Sequence, residues 1–133
     1  MDSCLRRHAV VTGSASGIGR ATALRLAAGG YHVFAGVRRE ADGTALAADA
    51  PGAGILTPVI LDITDAGQIS AAAQAVSEHL AGRGLDGLVD NAGVGVSWPM
   101  ELIPLDMLRR QLEVNVVGQI AVAQGFLPLI REA

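Results

Sequence analysis

The chain contains no lysine; all ten of its basic residues are arginine. No glycine-rich turn in it can therefore close on the Gly-Lys-Ser or Gly-Lys-Thr of a nucleoside triphosphate loop. Cysteine is almost as scarce. The one present, Cys4, sits in a polar N-terminal stretch, which excludes a disulfide framework and points to a reducing, cytoplasmic setting. Aromatic residues make up 3% of a chain that is 50% hydrophobic, so Ala, Val, Leu and Ile must build the core, a composition suited to helices packed on a parallel sheet. Long apolar runs are also missing. The longest stretch free of charge, residues 114–130, contains Asn115, Gln119, Gln124 and Pro128 and falls short of the roughly 20 apolar residues a membrane span needs. Behind the basic start, residues 1–7, the apolar run is only Ala9-Val10-Val11 before Thr12-Gly13, too short for a signal-peptide core. A net charge of −3 with scattered arginines argues against nucleic acid as a partner.

What the chain does have is glycine in an informative place. Val10-Val11-Thr12-Gly13-Ser14-Ala15-Ser16-Gly17-Ile18-Gly19-Arg20 reads as a strand, a tight turn and the start of a helix. Gly13 permits the sharp turn, Gly17 lets bare backbone approach a ligand, and Gly19 lets the helix lie close to the sheet. Helix N-termini present unpaired N–H donors and a partial positive charge, so this arrangement suits a dinucleotide pyrophosphate without any lysine. The alternative is an ordinary strand–turn–helix with incidental glycines.

Strand and helix signals alternate over 133 residues, a length that suits one domain. Strands are predicted at 8–12, 32–37, 55–63 and 85–89. Helices are predicted at 20–28, 38–49, from the cap Asp65 through 81, and over 105–132 with a bend near Asn115 or Gly118. Right-handed crossovers then give an α/β doubly wound parallel sheet ordered 3-2-1-4. Ligands in such sheets bind beyond the carboxyl ends of the strands where the order reverses, between strands one and four. The glycine turn and Asn91-Ala92-Gly93 become neighbours there, with Asp62 on the rim. His8, His32 and His79 read as scattered surface histidines.

Thr12-Gly13-x-x-x-Gly17-x-Gly19, Asp62 after a strand, Asn91-Ala92-Gly93 after the next strand and Asn115 in a helix, in that order, resemble the short-chain dehydrogenase/reductase family. The resemblance implies a Rossmann-like fold and an NAD(P)-dependent oxidoreductase moving hydride between its cofactor and an alcohol or carbonyl. It places the pyrophosphate on Gly13, Ser14, Ser16, Gly17, Ile18 and Gly19, the adenine at Asp62 and Ile63, and support for the central strand beside the cofactor at Asn91, Ala92 and Gly93. Asn115 matches the asparagine that holds a water in the family's proton relay. Family members specific for NAD carry an acid after the second strand, where this chain has Arg38-Arg39. A guanidinium can grip a 2′-phosphate bidentately, so NADP is expected over NAD, with Arg38 as the contact. The alternative is two solvated arginines at a helix start.

The resemblance covers the N-terminal, cofactor-binding half of such an enzyme. The family's serine, tyrosine and lysine follow in the other half, and this chain has no lysine and a single tyrosine, Tyr31, ahead of the second strand. Residues 1–133 are therefore expected to form a cofactor-binding domain cut off before the catalytic segment, inactive alone. The alternative is a catalytically inactive dinucleotide-binding or interaction module. No metal site is expected. The helix over 105–132 carries too many apolar residues for one stripe, so a homo-oligomer through it is expected, with packing inside one subunit as the alternative.

Overall fold

The computed structural model describes residues 6–52 and 54–133; Cys4 and Ala53 lie outside the described residues. Strands β1 (His8–Val11), β2 (His32–Val37), β3 (Ile55–Ile60) and β4 (Gly87–Val89) alternate with helices α1 (Gly17–Ala28), α2 (Glu40–Ala48) and α3 (Ala66–Leu80). All pairings are parallel and the sheet order is β3-β2-β1-β4, the order read from the sequence.

Strand alternation sorts the core onto two faces. Val10 and Phe34, directly paired in register, join Leu61 and Ile63 under Ile69, Ala72, Val76 and Leu80 of α3. Val11, Val33, Ala35 and Val37 face the other way, against Ala23 and Ala27 of α1 and Leu46 of α2. Small residues on α1 let it lie close to the sheet, so few aromatics are needed.

The last helical region is one continuous run in three parts: α4 (Leu105–Leu112), a π-helical turn (Glu113–Gly118) and α5 (Gln119–Arg131). Asn115 and Gly118, the positions at which a bend is expected, both fall in that π turn. By length and composition residues Leu105–Arg131 could cross a membrane, with mean hydropathy 1.3. In the fold, Val114, Val122, Phe126 and Leu129 bury one face of it in the core with α3 and the sheet.

Several boundaries move for physical reasons. Strand β3 stops at Ile60 rather than residue 63 because its partner β2 ends at Val37, whose carbonyl takes the last bond, from the Leu61 N–H at 2.8 Å; Asp62 then turns the chain by accepting from the Thr64 N–H at 2.9 Å. Helix α1 begins at Gly17 rather than residue 20, so two of the turn's glycines belong to its first turn. Strand β4 holds only three residues, 87–89. Asp65 caps α3 as expected, accepting from the Gln68 N–H at 3.0 Å.

The histidines require a correction. They are not scattered: His8 and His32 are register partners at the starts of β1 and β2, buried to 4% and 3% exposure. His79, in the last turn of α3, leans over both. Strand register and helix docking bring together residues whose spacing in sequence carries no pattern.

Candidate functional site

The glycine turn leaves β1 at its carboxyl end and is tied on both sides. Thr12 donates its N–H to Val89 of β4 at 3.0 Å, and Ser14 donates its N–H to Gly36 of β2 at 2.8 Å. Gly13 adopts φ +64°, and a Cβ on it would come within 2.8 Å of the Ala92 Cα. Gly19 is buried, and a Cβ there would collide with the Gly13 carbonyl oxygen and the Asn91 amide nitrogen. Its absence of a side chain thus serves the contact between α1, the turn and the Asn91 segment. Gly17 also needs a positive φ, +57°.

Helix α1 opens from Ser16, whose extended backbone places it at the N-cap but whose side chain makes no capping bond; the first turn contains no acid. An uncapped first turn keeps its N–H donors and the positive end of the helix dipole available to an anion. Arg20, just inside the helix, is already paired with Asp49.

Opposite the turn, Thr12 holds the segment after β4. Its buried hydroxyl accepts the N–H groups of Asn91 and Ala92, both at 2.9 Å, and points at Asp90 Oδ1 at 3.4 Å. The Asn91 amide returns the grip, donating to the carbonyls of Thr12 at 3.2 Å and Gly13 at 3.3 Å. The chain then runs extended across the helical region and is fastened there by three amide side chains four residues apart. Gln119 donates to the Ala92 carbonyl. Asn115 takes Val94 by both its N–H, at 2.8 Å, and its carbonyl, at 2.6 Å. Gln111 accepts the Val96 N–H at 2.7 Å. Two residues of extended chain advance about 6.6 Å and four helical residues about 6 Å, so the two repeats stay nearly in step.

These segments enclose a cleft of about 240 Å³ at the switch between β1 and β4. Of the residues predicted from sequence, Gly13, Ser16, Arg38, Asp62, Ile63, Asn91, Ala92 and Gly93 line it. Gly17, Ile18 and Gly19 stand at the head of α1 beside Ser16, with Ile18 79% exposed. Ser14 differs from expectation: it is fully buried, and its hydroxyl donates to the Val11 carbonyl at 2.8 Å, so it braces the turn. Asn115 lies behind the cleft wall, both ends of its amide engaged on Val94.

The two arginines after β2 separate. Arg39 pairs with Asp42 at 2.9 Å, whereas Arg38 lines the cleft and joins no ion pair among the described residues. Asp62, just beyond the end of the neighbouring strand β3, lines the same cleft. The Thr64 N–H and then its hydroxyl, at 2.7 Å, hold the Asp62 carboxyl below its usual value against an opposing burial cost, with smaller help from Arg38 and Arg110. Burial instead raises the Asp90 carboxyl.

Sequence reasoning passed over Arg110 and Val114, which line the cleft from the last helical region, and Gln111 and Gln119 behind it. The amides had a readable signal in Gln111-x-x-x-Asn115-x-x-x-Gln119. Arg110 had none. Tyr31 precedes β2, with the Arg7 guanidinium 4.7 Å from its ring centre, at the sheet edge opposite the cleft.

A family model described as short chain dehydrogenase matches residues 7–133. The human dehydrogenase/reductase SDR family member 9 is 37% identical over 96% of this chain and 40% of its own length. The NADPH-dependent 3-dehydrocapnine reductase of Ornithobacterium rhinotracheale is 35% identical over 93% of this chain and 43% of its own. Among solved structures, an NADPH-bound carbonyl reductase from chicken fatty liver superposes with a TM-score of 0.85 at 31% identity, covering 96% of this chain and 53% of that one. A short-chain dehydrogenase from Streptomyces avermitilis does so with 0.84 at 32% identity, covering 98% and 46%. The chain therefore spans about half the length of the proteins it matches.

Proposed function

The chain belongs to the short-chain dehydrogenase family, and from that premise we propose that it forms the dinucleotide-binding part of an NAD(P)-dependent oxidoreductase acting on an alcohol or carbonyl. One observation carries the reading: a glycine turn ends in an uncapped α1 first turn, beside the cleft that Asn91, Ala92 and Gly93 close from the other side. The α1 amides and the Ser16 hydroxyl receive the pyrophosphate. Asp62 and Ile63 frame the adenine end. The Asn91–Gly93 segment, braced by Thr12 and by the amides of 111, 115 and 119, forms the wall beside the nicotinamide. When bound, the dinucleotide supplies or accepts hydride; the protein's part is to hold it there.

NADP is the preferred form. Of the two cations that line the cleft, Arg38 and Arg110, Arg38 is the one directly after β2; Arg39 is engaged by Asp42, and no carboxylate occupies the end of β2 to repel a 2′-phosphate. Calorimetric titration tests this: Arg38→Ala weakens NADP binding at least tenfold, the size of one charge-assisted contact, and leaves NAD nearly unchanged, while Arg39→Ala alters neither by more than about twofold. Equal losses for both dinucleotides in Arg38→Ala would overturn the preference, and no binding of either by the parent chain would overturn the site.

The chain contains no lysine, and Tyr31 is at the wrong end of the sheet. We therefore read these 133 residues as binding dinucleotide without turning over substrate by themselves. Leu112, Val116, Val117, Ile120 and Leu127 remain 41–57% exposed along the last helical region, which supports self-association through that region. Sedimentation of the chain with and without Val117→Glu reads it out.

A further inference from the structure

At the amino-terminal edge of the sheet, away from the cleft, three imidazoles converge. His8 opens β1, His32 opens β2 beside it, and His79 reaches them from α3. Their ring centres are 5.6, 6.1 and 4.4 Å apart, and one ring nitrogen from each lies within 4.8 Å of the others. We propose that His8, His32 and His79 form a three-imidazole site for a divalent first-row transition metal, with Zn²⁺ as the best-suited ion.

The distances match what such an ion requires. Zn–N bonds of about 2.0–2.1 Å in tetrahedral array set ligand nitrogens roughly 3.3 Å apart and imidazole centres about 5 Å apart; the observed centre separations bracket that figure. The nitrogens, within 4.8 Å of one another, must draw closer on binding, and His79 is the exposed member of the three. The fourth position then opens toward solvent on the His79 side.

The chemistry agrees. Burial holds His32 down at about 4, helped by His79 and His8, and burial with Arg83 lowers His8; both are neutral imidazoles at neutral pH, the form that ligates. His32 Nε2 lies 2.8 Å from the Thr57 hydroxyl, which can accept an Nε2–H as outer-shell partner when the other ring nitrogen ligates. Asp86 accepts the His8 backbone N–H at 2.7 Å and brings negative charge near the cluster, opposed by Arg83 and Arg6. Three nitrogen donors without a carboxylate favour zinc, cobalt, nickel or copper over magnesium or calcium. Bound there, an ion ties β1, β2 and α3 together, a structural clamp independent of the dinucleotide.

The test titrates Zn²⁺ into metal-stripped chain by calorimetry and records its thermal midpoint. The expected result is one equivalent bound and a midpoint several degrees higher with Zn²⁺ but not Mg²⁺, together with the visible absorption of a four-coordinate site when Co²⁺ is used. His79→Ala removes an exposed ligand, so its metal-free midpoint stays near the parent's while Zn²⁺ affinity falls at least tenfold. Absence of binding, octahedral Co²⁺ absorption, or equal Zn²⁺ affinity in parent and His79→Ala would each show that the cluster is packing around Phe34 and nothing more. The Co²⁺ spectrum of the parent decides the matter even if the variant fails to fold.

Discussion

Asn115 grips Val94 at both ends of one residue, its Oδ1 accepting the Val94 N–H at 2.8 Å and its Nδ2 donating to the Val94 carbonyl at 2.6 Å. A strand pairing would satisfy the same two groups; here a helix side chain stands in for the neighbouring strand. The π turn that contains Asn115 adds a residue to the helical repeat, and Gln111 and Gln119 still reach the same extended segment on either side. The cleft wall is therefore held twice, by Thr12 at Asn91 and Ala92 and by the helix from Ala92 to Val96.

Asn115→Ala removes both bonds and should cost about 1–2 kcal/mol in urea unfolding, at roughly 0.5–1.5 kcal/mol per bond. The Val94 amide should exchange with solvent faster than in the parent. Asn115→Asp keeps the acceptor and loses the donor, so it should protect the Val94 N–H better than alanine does. Unchanged exchange at Val94 in the alanine variant would show the segment to be held by other means.

Thr12→Val keeps the buried volume and deletes the hydroxyl that serves Asn91 and Ala92. Two partly buried N–H groups lose their acceptor, for a destabilisation of about 2–3 kcal/mol. Thr12→Ser should recover most of it. Chemical denaturation of the three proteins side by side checks the order; a valine variant as stable as the parent would mean that water replaces the hydroxyl freely.

Gly19→Ala and Gly17→Ala separate crowding from backbone strain. At Gly19 a methyl meets the backbone of Gly13 and the Asn91 amide, so α1 must move, at about 1–3 kcal/mol and with loss of dinucleotide affinity. At Gly17 no atom lies within 4 Å, and the cost is the left-handed backbone alone, about 1–2 kcal/mol. Thermal unfolding and NADP titration should show the binding defect to be larger for Gly19→Ala than the stability difference alone explains.

Asp62 gives the acid limb of stability a defined sign. Its folded value lies below the ordinary 3.8 because Thr64 donates to the carboxylate. Its contribution is complete above about pH 4 and disappears as pH falls from there through the lowered folded value. Asp62→Asn removes that share, so stability plotted against pH below 4 should fall less steeply than in the parent. Parallel acid limbs in urea titrations of the two proteins would contradict the Thr64 contact.

Much of the fold was legible because its determinants are local. Apolar runs separated by helical periods predicted the alternation and the 3-2-1-4 order, Asp65 announced α3, and the spacing of Gly13, Gly17 and Gly19 placed the turn. Boundaries shifted where a partner strand decides them, as the end of β2 at Val37 does for β3. In the site, Arg38 is the arginine the sequence reading names as the contact, and what separates the pair in the fold is Asp42, which takes Arg39 while Arg38 lines the cleft.

From residues alone, then, came the turn, the layers and the chemistry of a surface able to receive an anion, since turns, caps and strand alternation are written within a few positions of one another. Docking decided the rest. That His8, His32 and His79 meet, that Thr12 clasps Asn91, and that three amides fasten residues 92–96 depend on strand register and on where α3 and the last helix settle, which are set by the packing of two whole faces of the core and not by any short stretch of chain.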